Sequence, residues 1–186
     1  MDNPEDSVAG TVRLVRRGLL AAALGGMGVL ALRPTRAAAD DDGISHSAES
    51  IHQEPLIAAR RDRVYAALTD AAQFERLTQF SDAVKTMPLR HDPARIEPRA
   101  GGVFALFGGY ISGRFIELVA NELLVQAWRV GNWDRGVYSI ARFQLEEQGA
   151  DTRIVFDHAG FPLGAAGHLA LGWQKNYWDP LRRLLA

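Results

Sequence analysis

Cysteine is absent from the 186-residue sequence, which excludes disulfides, thiolate catalysis, and zinc or iron–sulfur sites built on cysteine. An excess of positive charge is also lacking: 21 Lys and Arg stand against 22 Asp and Glu, for a formal net charge of −1. With no basic stripe and no nucleic-acid motif, the chain does not read as a binder of DNA or RNA. No apolar run reaches the roughly 20 residues that a spanning helix needs. Catalytic signatures are missing too: there is no Walker loop, no H-E-x-x-H, no nucleophile elbow and no N-glycosylation triplet. The glycines at Gly101-Gly102, Gly108-Gly109 and Gly113 do not make G-x-G-x-x-G, and no helix follows them, so phosphate binding is not indicated. They read as turn and bulge positions in a curved sheet. No cofactor and no metal site is expected.

What is present begins with an address. Residues 1–39 hold five Arg against three acids. Arg13, Arg16 and Arg17 precede an apolar run from Gly18 to Leu32, and Ala37-Ala38-Ala39 supplies an A-x-A cleavage site. This predicts a signal peptide over 1–39, cut near Ala39/Asp40, and a periplasmic or otherwise exported protein with no membrane span after cleavage. The export machinery would be the partner of residues 13–39. Arg16-Arg17-Gly18-Leu19-Leu20 resembles a twin-arginine signal, but Val15 stands where Ser or Thr is usual and Leu20 is not followed by Lys. The twin-arginine and general secretory routes both stay open, and the alternatives to export are an uncleaved anchor or a basic arm. Without Cys there is no lipobox. Residues 40–49 form a flexible leader. His46 and His52, near Asp40-Asp41-Asp42, read as part of a solvated segment rather than a metal site.

The centre of the chain is Gly101 to Trp133. Val103 to Phe107 is an apolar run between glycine pairs, too short for a helix, and reads as a strand. Tyr110 to Val119 and Leu123 to Val130 are strands by their aromatic and β-branched content, bounded by Ala120-Asn121 and Gly131-Asn132. Such short loops demand antiparallel pairing. Upstream, a strand is predicted over Ser50–Ala58, then a helix capped by Asp62 and ended by Thr69-Asp70, then a short helix from Ala71 to about Gln79. Met87 to Arg99, with Pro88, Pro93 and Pro98, is mostly loop, with a short strand around Arg95 to Glu97.

Downstream, Val137 to Leu145 places Ala141, Phe143 and Leu145 on the core face, opposite Tyr138, Arg142 and Gln144. Glu146-Glu147-Gln148-Gly149 is the expected hairpin turn, after which Thr152, Ile154, Phe156 and His158 share one face. Ala165 to Leu185 is a long helix with the stripe Leu169, Trp173, Tyr177, Leu181 and Leu184/Leu185. Pro180 removes an N–H and crowds the Asn176 carbonyl, so a kink or fresh turn is expected near Asp179.

These segments carry a resemblance. The run GG-x-F-x-L-F-GG-Y-I-x-G-x-x-x-EL, with VQAWR and Trp133, ALTDA upstream, and YSIARFQL, TRIVFDHAGFP and HLALGWQKNYWDPL downstream, resembles bacterial relatives of the C-terminal domain of the activator of the heat-shock protein 90 ATPase. That family lies in the START-like, SRPBCC superfamily. The resemblance covers about residues 50–186. It implies an α+β helix-grip fold: a curved antiparallel sheet wrapped on a long C-terminal helix, with two short helices after the first strand. It implies a fold more than a function.

A helix-grip sheet leaves room for a cavity lined by aromatic groups, the usual setting for an apolar ligand with a few polar anchors. The candidate lining comprises Phe107, Tyr110, Trp128, Phe143, Phe156, Trp173 and Tyr177, with His158 and Glu117 as polar anchors. His158 shares the strand phase of Ile154 and Phe156, but no Ser, Cys or Asp stands at an informative spacing from it, and a hydrogen-bonded structural role is the plainer reading. Glu117 has an ambiguous phase: it faces either the cavity or solvent. No residue is assigned as catalytic. A binding module for a small apolar or amphipathic molecule is the first expectation. A cyclase/dehydratase-like or hydrolase-like enzyme using the same cavity, with His158 or Glu117 as acid–base, is the second, and a co-chaperone the third.

Overall fold

The computed structural model describes residues 49–186; the export signal expected at 1–39 and the leader, apart from Glu49, lie outside the described residues. β1 (Ser50–Gln53) and β2 (Leu56–Ile57) lead into α1 (Arg61–Thr69), α2 (Ala71–Thr78) and α3 (Asp82–Thr86). The strands β3 (Arg95–Ile96), β4 (Val103–Leu106), β5 (Ile111–Val119), β6 (Leu123–Val130), β7 (Ser139–Gln148) and β8 (Asp151–Ala159) follow. α4 (Ala166–Trp173), a π-helical turn (Gln174–Trp178) and α5 (Asp179–Leu185) then run on without a break. The strands make one antiparallel 8-stranded sheet in the order β1-β8-β7-β6-β5-β4-β3, with β2 also on β8.

Period-two alternation sets the inner face. Leu124, Trp128 and Val130 of β6 are buried together with Ala141, Phe143 and Leu145 of β7 and Ile154, Phe156 and His158 of β8, the last two sets in the predicted phase. Full burial of each large apolar side chain contributes about 1.5–3 kcal/mol, so a one-residue slip of register would forfeit a whole row at once. Helices α1 and α2 close one end of this face through Val64, Leu68, Phe74 and Leu77, all buried.

Several local expectations change. The first strand is interrupted at Glu54-Pro55, because Pro55 has no N–H to offer; its carbonyl still accepts a hydrogen bond from Ile154 N at 3.0 Å. Asp62 does not cap α1. Arg60 holds the N-cap position without a side-chain bond, and Asp62 sits in the first turn, where its charge favours the helix dipole. Asp70 ends α1 and caps α2, its Oδ1 accepting Gln73 N at 2.8 Å. The turn expected at Glu146–Gly149 is shorter: β7 runs to Gln148, which pairs with Asp151. Gly149 takes the left-handed φ of 67° in the turn. The acids of that segment are held on the strand by Arg153 to Glu146 at 2.6 Å and Arg61 to Glu147 at 3.2 Å.

Gly113 in β5 is required by close approach. A Cβ there would collide with the Ala127 carbonyl oxygen and the Phe104 ring. Gly113→Ala is therefore expected to lose about 1–3 kcal/mol by overpacking, read as a lower urea midpoint; an unchanged midpoint would show that the sheet opens freely at this point.

In the C-terminal helix, Leu169, Trp173, Tyr177, Leu181 and Leu185 are buried as the stripe predicts, and Leu184 is half-buried. Trp178 joins them, fully buried. The π turn explains the addition: its wider i→i+5 ring lets Tyr177 and Trp178 both reach the core, with Trp178 stacked on Trp173 at 5.9 Å. α5 begins afresh at Asp179, with Pro180 in its first turn where a missing N–H costs nothing. Gln53 ties this segment to β1, accepting from Trp178 Nε1 at 2.6 Å and donating to the Ala170 carbonyl at 3.1 Å.

Candidate functional site

The sheet and the helix do not meet everywhere. A cavity of about 600 Å³ opens between β5, β6, α3 and α4 with the π turn. On the sheet side its wall is Phe107, Tyr110, Ile111, Trp128, Val130 and Trp133; on the helix side it is Leu169, Gly172, Trp173 and Tyr177. Polar groups gather at the mouth, where Asp82 and Thr86 of α3 face Asn132, His168, Lys175 and Asn176. Asp82 and Lys175 pair there at 3.7 Å.

Helix α3, not expected from the sequence, forms one lip. None of its residues is buried, so packing alone does not hold it. Asn176 does: its Oδ1 accepts from Ser81 Oγ at 2.7 Å and Ala83 N at 2.8 Å, while its Nδ2 donates to the Gly172 carbonyl at 3.0 Å. Ser81-Asp82 was the available signal, since a Ser before an acid is a helix start. The proline-rich stretch that follows masked it.

The candidate residues separate into groups. Phe107, Tyr110, Trp128, Trp173 and Tyr177 line the cavity. Phe107 belongs to the turn after β4 rather than to the strand, with a left-handed φ of 52°. That conformation costs a bulky residue about 1–3 kcal/mol, offset by packing of its ring on Phe74 at 5.5 Å and Tyr177 at 5.7 Å. Phe143 and Phe156 lie behind Trp173, at 5.6 and 4.5 Å between ring centres, as core rather than lining. Glu117 is exposed and follows a β-bulge between Phe115 and Glu117. The bulge inserts a residue, turns Glu117 outward, and resolves the ambiguity of its phase in favour of solvent. Lining contributed by Ile111, Val130, Trp133, Leu169 and α3 was not anticipated, because strand and helix phase identify an inner face but not where that face stays uncovered.

His158 is buried on the inner face yet is not part of the cavity wall. Its partners decide its state. Trp173 Nε1–H, which can only donate, points at Nδ1 at 3.0 Å. Ser139 Oγ–H donates to the Trp128 carbonyl at 3.0 Å, which leaves Oγ to accept from Nε2 at 2.7 Å. The imidazole is therefore assigned as the neutral Nε2–H tautomer. Burial lowers its pKa from 6.5 to about 4. A charged ring would set an Nδ1–H against the Trp173 N–H. This is a structural bridge between β7, β8 and α4, not an acid–base group open to a ligand. His52 belongs to β1, with Nδ1 at 2.7 Å from Asp157 and Nε2 at 3.2 Å from Glu54 on the outer face.

Two polar atoms of residues in the aromatic wall, Trp128 Nε1 and the Tyr177 hydroxyl, are buried and have no hydrogen-bond partner among the described residues. Burial raises the Tyr177 pKa well above its ordinary value, and the nearby Trp128 N–H opposes this without reaching hydrogen-bond geometry. Tyr177 thus keeps its proton at any physiological pH.

A curved antiparallel sheet closed on one long C-terminal helix, with an aromatic cavity between them, defines an α+β protein of the START-like helix-grip class. Residues 58–186 match the model of the family described as Activator of Hsp90 ATPase homolog 1-like protein, and the chain belongs to that family. Among curated relatives, the activator of 90 kDa heat shock protein ATPase homolog 2 of Mus musculus is 31% identical over 93 residues, 50% of this chain and 28% of the relative. Homolog 1 of Homo sapiens is 27% identical over 116 residues, 62% of this chain and 34% of the relative. The chain thus spans about a third of the length of these relatives. An HSP90 activator from Plasmodium falciparum superposes with a TM-score of 0.63 at 22% identity, covering 73% of this chain and 95% of that one. CalU16 from Micromonospora echinospora gives 0.59 at 24% identity, over 75% of this chain and 77% of its own. At such identities the structural likeness concerns the fold.

Proposed function

We propose that this protein is an exported binding protein that holds a small apolar or amphipathic molecule between the sheet and the C-terminal helix. The cavity carries this reading: about 600 Å³ of space walled by aromatic and aliphatic groups, with its charged groups at the mouth. Ligand pockets have this size and this division of polar and apolar surface. Export is supported by the arginines and apolar run of residues 13–39 and by Ala37-Ala38-Ala39. The cyclase or dehydratase reading is weaker, because His158 is enclosed in its own network and Glu117 faces solvent.

Gly172 offers a clean test. It lines the cavity, and a Cβ there would meet only Asn176 Nδ2, at 4.0 Å. Gly172→Phe fills the mouth from a helical position that gains propensity on losing glycine. Native mass spectrometry of the protein from its own host's exported fraction should show a small-molecule adduct on the wild type. The variant should be as thermally stable and carry none. A wild type that is exported but empty, and whose melting temperature no apolar compound raises, defeats the binding reading. Absence from the exported fraction defeats export.

Family membership favours a second reading, action on a chaperone ATPase like the relatives named as activators. It expects the protein to change the ATPase rate of a heat-shock protein 90 from the same host; an unchanged rate at saturating protein removes it.

A further inference from the structure

The cavity wall leaves two hydrogen-bond donors unanswered. Trp128 Nε1–H can only donate, and the Tyr177 hydroxyl, whether or not it receives that N–H, still has a proton to give. Neither finds an acceptor among the described residues. The Ser139 hydroxyl and the Trp128 carbonyl are already engaged with each other, and the hydroxyl with His158. A buried donor without an acceptor is costly, and the same groups become favourable once one arrives. Charge sets the second condition. The acid and the amine lining the cavity, Asp82 and Lys175, are paired with each other at the mouth. Among the described residues, the basic groups of the lining, Lys175 and His168, stand at the mouth and not among the aromatic rings, so an anion buried there would lose most of its hydration energy uncompensated.

We infer that the molecule this cavity takes is an uncharged carbonyl compound, a ketone or ester on an apolar body, whose oxygen accepts hydrogen bonds from Tyr177 and Trp128. The inference rests on the cavity being a ligand site, as proposed above. Both donor atoms are themselves buried, so binding requires the Tyr177 phenol, which lines the cavity and packs on Trp173 at 4.3 Å, to turn towards the ligand. Selectivity then follows from arithmetic rather than fit. A hydrocarbon of the same shape leaves both donors orphaned, and a carboxylate loses hydration without a counter-charge.

Three probes of one shape separate these cases: 2-acetylnaphthalene, 2-ethylnaphthalene and 2-naphthoate, titrated calorimetrically into the full chain at neutral pH. The ketone is expected to bind at least about tenfold more tightly than the hydrocarbon, consistent with one or two net hydrogen bonds, and the carboxylate weakest. Tyr177→Phe removes the hydroxyl while keeping the ring, and should leave the melting temperature equal or higher. It should lower ketone affinity about tenfold, leave hydrocarbon affinity unchanged, and reduce the red shift of the bound ketone's carbonyl stretch to the part owed to Trp128. Equal affinities for ketone and hydrocarbon, a preference undiminished by Tyr177→Phe, or tightest binding of naphthoate would each overturn the inference while leaving the cavity a ligand site. Failure of all three probes to bind would instead remove the ligand-site reading, and this one with it.

Discussion

Trp173→Ala is expected to lose about 4 kcal/mol or more of stability, at the upper end of the range for deleting a buried aromatic ring. The indole is buried, with Trp128, Phe156, Tyr177 and Trp178 at ring-centre distances of 5.3, 4.5, 4.3 and 5.9 Å. Removing it opens a void that rings on β-strands cannot collapse to fill. It also takes away the only donor to His158 Nδ1 among the described residues, leaving a buried acceptor to a further penalty. Trp173→Phe keeps most of the ring but not the N–H, and should fall between the two. Urea denaturation checks the series. If alanine costs no more than about 1 kcal/mol, the aromatic cluster is not the centre of this core.

Acid should destabilise the fold between about pH 6.5 and pH 4, by an amount on the order of 3 kcal/mol traceable to His158. The sign follows from linkage. Burial depresses the folded pKa to about 4 from the ordinary 6.5, so across that window the unfolded chain takes up a proton that the native state refuses. Stability is full above 6.5 and falls as pH drops towards 4. His52 acts in the opposite direction, because its hydrogen bonds to the Asp157 and Glu54 carboxylates raise its pKa. Its contribution is present at low pH and lost as pH rises. The change at His52 falls above pH 6.5, outside the window of His158, so the acid slope belongs to His158, and a His52→Gln variant should leave it nearly unchanged. Imidazole NMR gives the direct reading: one resonance titrating near 4 and assigned to His158. A His158 that titrates near 6.5 would mean that its network with Trp173 and Ser139 opens in solution.

Much of the fold was legible because strands and helices impose exact periods. Ala141, Phe143 and Leu145, then Ile154, Phe156 and His158, fell on the inner face by counting in twos, and Leu169 to Leu185 by counting in threes and fours. Where a local rule competed with a tertiary partner, the partner won. Asp62 had the right residue type for a cap but sits inside the helix, and the acids at Glu146-Glu147 were held in the strand by Arg153 and Arg61 rather than released into a turn.

The site was only partly legible, for a different reason. Composition and alternation determined that the chain forms an antiparallel sheet with an aromatic inner face, and that no cysteine chemistry takes place on it. They did not determine which part of that face stays open. The bulge that turned Glu117 outward, the π turn that brought Tyr177 and Trp178 in together, and the placing of α3 by Asn176 are settlements between segments distant in sequence. So is the neutral state of His158, which depends on a tryptophan 15 residues away and a serine 19 residues away. Sequence determines which face is apolar, because each residue carries its own hydration cost. Only the tertiary structure decides where that face is left uncovered and which donors it leaves without an acceptor, because both depend on how the sheet curves over the helix.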